Sequence, residues 1–125
     1  MAYAAAVTVT NLSVRKWLVT ISETDCGVAD EAAITGLPSR ARLLKQVTSL
    51  VSGTGTTVDP VIGTATNPTG VNVVASNDTA AADVNNVASP AIAFVSTTGL
   101  FHRSNPDAGA DNVIQTQYLF LGGWE

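Results

Sequence analysis

"KWLVTISE", residues 16–23, sets Trp17, Val19 and Ile21 against Leu18, Thr20 and Ser22 in strict alternation. A period of two is the repeat of a pleated strand, whose successive side chains leave on opposite faces. The same pattern returns in "VIQTQYLFL", residues 113–121, where Ile114, Tyr118 and Phe120 oppose Gln115 and Gln117. Each stretch predicts a strand with one buried face.

Working outward, the segments between these strands are punctuated by turn signals: Asp25-Cys26-Gly27, Gly36-Leu37-Pro38, residues 52–57, Asn67-Pro68-Thr69-Gly70, Asn77-Asp78 and residues 104–109. Short runs of Val, Ile and Thr lie between them, and branched side chains suit a half-buried pleated surface. The pattern predicts a mainly β chain, a single-domain antiparallel β-sandwich or small barrel with room for one short helix. Two segments leave the helix open. In "SRARLLKQVTSLV", residues 39–51, Leu43, Val47, Leu50 and Val51 fall at helical spacing behind Ser39, so strand and helix compete. "NDTAAADVNNVASP", residues 77–90, reads as a helical turn or two closed by Pro90, or as a surface loop. Residues 1–10 read as an N-terminal arm that either pairs within its own sheet or, left unpaired, adds to a neighbouring sheet edge.

A chain of 125 residues fits one domain with a real core. It is 46% apolar but only 13% charged, with a net charge of −4. That balance argues against nucleic acid, which calls for a basic stripe, and the low charge suits a surface covered by partners. Five of the six basic residues, Arg15, Lys16, Arg40, Arg42 and Lys45, lie in the first 45 positions. Arg40, Arg42 and Lys45 read either as loose partners of Glu23, Asp25, Asp30 and Glu31 on a solvated face or as part of a binding edge. Cys26 is the single cysteine, so no internal disulfide forms. The opening "MAYAAAVTVTNL" has no basic n-region and no apolar run approaches a membrane span, so cytoplasmic synthesis without membrane contact is expected.

"SGTGTTVDPVIG", residues 52–63, has the small-residue density of an anion cradle, yet no Lys follows its glycines and Pro60 blocks a helix. It reads as structural, with Gly53 and Gly55 permitting unusual backbone and residues 58–63 returning as an edge strand. His102, the only histidine, has no GxSxG or HExxH companion and reads as a surface or interface residue. In "NPDAGADN", residues 105–112, Asn105, Asp107 and Asp111 depart from the calcium-loop pattern and read as an Asx-type turn. No catalytic, cofactor or metal site is expected. Trp17 is expected to anchor a core, and Trp124, after Gly122-Gly123, to dock on its own sheet or on another copy.

The order of parts in "WLVTISETD" and "EAAITGLPSRARLLKQVTSLVSGTGTTVDPVIG", a "vTIsET" strand, a "GLP" turn and a strand leading into residues 52–63, resembles small structural proteins encoded beside the capsid genes of tailed bacteriophages. The resemblance covers about residues 15–65. It implies a β-rich virion component without enzymatic activity, most often a capsid decoration (cement) protein, the alternative being a neck, tail or baseplate component. The implied partners are the major capsid protein and copies of the chain itself, as a dimer or trimer. No site residue carries over from the resemblance; the alternation of the N-terminal segment and the charge asymmetry make Tyr3, Val7 and Val9 the expected strand-adding contacts and Arg15, Lys16 and Trp17 a basic, aromatic edge meeting an acidic shell, with Trp124 a further contact. Deleting residues 1–9 is expected to abolish particle binding and leave the fold intact. A carbohydrate-binding β-sandwich, with Trp124, Tyr118 or Tyr3 as stacking platform, and a small enzyme using His102 beside an acid are the competing readings.

Overall fold

The computed structural model describes residues 2–28, 30–58, 60–63, 85–88, 95–96 and 99–122. Every regular element among them is a strand: β1 (Ala4–Ser13), β2 (Lys16–Cys26), β3 (Glu31–Ile34), β4 (Arg40–Ser52), β5 (Val61–Gly63), β6 (Asn85–Ala88), β7 (Val95–Ser96), β8 (Leu100–Arg103) and β9 (Asn112–Gly122). One antiparallel sheet runs β1-β2-β9-β4, with β6 and β7 pairing along the far side of β4, and a second runs β3-β8-β5. The expected β-sandwich is what forms, and its sheets stay open rather than closing into a barrel.

The two alternating stretches lie side by side, so their apolar faces become one. Across β9, Phe120 sits between Trp17 and Leu43, Tyr118 between Val19 and Gln46, Thr116 between Ile21 and Thr48, and Ile114 between Glu23 and Leu50. Val19, Ile21, Leu43, Tyr118 and Phe120 pack with Ala32, Ile34, Ile62 and Leu100 of the other sheet, each 6% exposed or less. Burying each large side chain of this set contributes about 1.5–3 kcal/mol. A second cluster, Cys26, Leu50, Val58 and Ile114, closes the opposite end against Tyr3.

Residues 40–52 are strand, not helix, and a register shift explains why the sequence was ambiguous. The shift falls between Leu43 and Lys45, so odd positions face inward before it and Gln46, Thr48 and Leu50 face inward after it. Leu43 and Leu50 belong to the core while Val47 is on the outer face, and the apparent helical spacing mixes the two faces. A second shift in β2, between Glu23 and Cys26, passes through Asp25 at φ 50° and turns Cys26 inward. Of residues 77–90, Asn85–Ala88 are strand and the others lie outside the described residues.

The N-terminal segment is not a separate arm. Ala4 to Ser13 pairs with β2 from Ala4 opposite Thr24 to Ser13 opposite Lys16. Val7 and Val9 turn inward against the core, because the alternation that suggested a docking strand matches that of β2 next to it.

Candidate functional site

Among the described residues, two clusters and one face hold groups that could do chemistry or bind. The first cluster answers what residues 52–63 hold. Gly53, at φ +126°, lets the chain leave β4 for the second sheet, and a Cβ there would stand 2.5 Å from Asn112 Oδ1. Beyond it the backbone presents a row of N–H groups. Thr54 N donates to Asp111 Oδ1 at 2.9 Å, Gly55 N to Asn112 Oδ1 at 2.8 Å, and Thr56 N and Thr57 N to Asp107 Oδ1 at 2.7 and 3.0 Å. The hydroxyls of Thr54 and Thr56 donate to the second oxygens of Asp111 and Asp107, at 2.9 and 2.8 Å. The loop is an anion cradle whose anions are carboxylates of its own chain, and its amides are thereby engaged. The Thr57 backbone bond, then the side-chain and backbone bonds of Thr56, hold Asp107 down at about 2, and Thr54 likewise lowers Asp111. Asn112 completes the clamp by donating through Nδ2 to Cys26 O at 2.8 Å and Ala108 O at 2.9 Å.

The second cluster lies between the sheets. Glu23, His102, Ser104 and Tyr118 are each 0% exposed. Glu23 Oε2 accepts from Tyr3 Oη at 2.7 Å and from the Cys26 thiol at 3.6 Å. Its Oε1 accepts from the Ser104 hydroxyl and lies 3.1 Å from His102 Nε2. His102 Nε2 is also 2.8 Å from Ser104 Oγ, and Nδ1 is 2.6 Å from the Tyr118 hydroxyl. Burial opposes the charge on Glu23, but the adjacent His102 and the bonds from His102, Ser104 and Tyr3 outweigh it and hold the acid below its ordinary value. Burial first, and the negative Glu23 second, push Tyr3, Cys26 and Tyr118 up, so all three stay protonated. A hydrolytic relay places serine and acid on opposite ring nitrogens. Here both share Nε2, and the serine gives its proton directly to the acid, which is the arrangement of a core network.

These contacts correct several expectations. His102 is an interior residue, not a surface one, because β8 turns it toward β9 and β2. Glu23 pairs inward with His102 rather than with Arg40, Arg42 or Lys45, because it continues the inner face of Val19 and Ile21. Tyr3, Val7, Val9 and Trp17 are half buried against their own chain. Arg15 Nε donates to Gly122 O at 3.0 Å, and Gly122 N donates to Arg15 O at 2.6 Å, so Arg15 fastens the β1–β2 turn to the end of β9. Of the basic, aromatic edge only Lys16 is exposed. Tyr118 is 0% exposed and offers no stacking platform, and the hydroxyl of half-buried Tyr3 is bound to Glu23. Trp124 lies outside the described residues. Among the described residues, no group of three His, Cys, Asp or Glu side chains is placed to hold a metal ion.

The outer face of β2, β9 and β4 is the surface that composition alone does not reveal. Thr20, Ser22, Val47, Ser49, Gln115 and Gln117 line an open groove of about 390 Å³. Leu18, Lys45, Val47, Gln117 and Leu119 line a smaller hollow of about 200 Å³ beside it. The outward positions of β2 from Leu18 to Thr24 and of β9 from Val113 to Leu121 carry no charge. Both strands displayed these residues in their alternation, but only the strand order places them on one surface.

Comparison of the chain with protein-family models, with curated proteins and with solved structures finds no match.

Proposed function

We propose that the protein is a structural component of a tailed-bacteriophage virion, a capsid decoration protein that binds the head shell through the outer face of β2, β9 and β4. The observation that carries this reading is the uncharged centre of that face, the outward residues of β2 from Leu18 to Thr24 and of β9 with Val47 and Ser49 of β4, which leaves Arg40, Arg42 and Lys45 toward one end of β4. Interface centres are depleted of charge, and a groove lined by Thr, Ser, Gln and Val can receive a protein surface without desolvating ions. The two clusters rich in ionisable groups support the same reading from the other side, since each spends its hydrogen bonds on its own chain. The resemblance of residues 15–65 to phage structural proteins names the kind of partner, the major capsid protein. Such a protein acts by many modest contacts repeated by symmetry.

Quantitative mass spectrometry of purified particles from the source tests it. The chain is expected in amounts comparable to the major capsid protein. A trace amount would move it to the neck or tail, and absence from the particle would overturn the reading. The surface is tested by Ser22→Lys with Gln117→Glu, which is expected to abolish rebinding to shells stripped of the protein while the isolated chain stays folded. Undiminished rebinding would reject this face as the one that docks.

A further inference from the structure

The free side of β1 is the longest unguarded strand edge among the described residues. No described strand pairs with it, and eight of its ten residues are exposed. An edge of that length presents a row of backbone donors and acceptors that natural monomers guard with charged side chains, proline, bulges or brevity. The second sheet shows such guarding: its edge strand β3 has four residues and begins at Glu31, and β5 has three and follows Pro60. β1, "AAAVTVTNLS", has neither charge nor proline, and its one irregularity, between Asn11 and Ser13, lies at the far end.

We propose that two copies of the chain join edge to edge through β1, antiparallel about a two-fold axis. Charge favours a second copy as the occupant. In a molecule of net charge −4 this strand carries no charge, so its duplicate brings no like charges into the seam and offers the same exposed backbone. The side chains are self-complementary: Ala4, Ala6, Thr8 and Thr10 share the outward face, and Thr and Ala pack across an antiparallel pair without clash. On the inner face Val7 and Val9 are only half buried, and a strand laid beside β1 would cover them further. Pairing the same edge with itself uses both edges at once and closes the assembly at two copies. The proposal refines the self-association named above and rests on that reading only there. It concerns the free protein and stands or falls apart from particle binding.

Sedimentation equilibrium of the full chain is expected to give twice the 12.8 kDa monomer mass at micromolar concentration. Ala6→Lys with Thr8→Lys, which sets like charges against each other across the axis, is expected to give the monomer with unchanged circular dichroism. A wild-type monomer, a wild-type trimer, or a folded double variant that remains dimeric would overturn the proposal. Cysteines placed singly at Ala4, Ala6, Thr8 and Thr10 provide a readout that needs no disruptive change, because Cys26 is buried. An intermolecular disulfide is expected at the positions nearest the axis, and its absence at all four would also overturn the pairing.

Discussion

At Glu23 a strand's apolar face continues through an acid instead of ending at solvent. Carboxylates are almost never fully buried unless paired, and this one is 0% exposed with donors from Tyr3, Cys26, His102 and Ser104 around it. Replacing it by Gln removes the charge those donors were arranged to meet. Glu23→Gln is expected to destabilise the protein by about 3–5 kcal/mol in urea unfolding, the range for breaking a buried pair. The position was legible in the sequence as an inward-facing one, since it follows Val19 and Ile21 at the same parity. Its chemistry was not, because Tyr3, His102 and Ser104 approach from 20, 79 and 81 residues away.

Among the elements, the loops between strands carry the next layer of information. The Asp107 and Asp111 carboxylates hold residues 54–57 in place, so Asp107→Asn or Asp111→Asn is expected to speed amide exchange at Thr56 and Thr57, or at Thr54. Unchanged exchange at those amides would show that the loop keeps its shape without them. Strand β1 is also part of the body. Deleting residues 1–9 removes the packing of Val7 and Val9 and the Tyr3 bond to a charged acceptor, an expected loss of about 3–5 kcal/mol. A deletion that left the unfolding midpoint unchanged would count against the internal pairing of β1. Alternation alone identified β2 and β9, whose faces are regular through their central registers. It failed for β4, where the shift at Leu43 and Lys45 exchanges inner and outer positions partway along. Register shifts follow from how a strand meets its neighbours, so the strand's own residues do not announce them.

Considered as a whole, the molecule is built to lose stability in acid. Both Glu23 and Asp107 titrate lower in the folded chain than in the unfolded one. Their contribution is therefore complete above the ordinary values, 4.5 and 3.8, and disappears as pH falls through the depressed ones, about 2 for Asp107. The urea midpoint is expected to be flat near neutrality and to fall below about pH 4.5, and Glu23→Gln with Asp107→Asn should flatten that fall. An equally steep decline in the double variant would place the acid sensitivity elsewhere. The two-sheet architecture was legible from strand periodicity and turn spacing. The order β1-β2-β9-β4 was not, because it seats the ninth strand beside the second and so depends on encounters across nearly the whole chain.

That same ordering sets a timetable for the ribosome. The acid at position 23 emerges long before the histidine that meets it, 79 residues later. At about 5–20 residues per second the interval is roughly 4–16 s. Burial of Glu23 therefore requires both β8, which carries His102, and β9, the neighbour of β2.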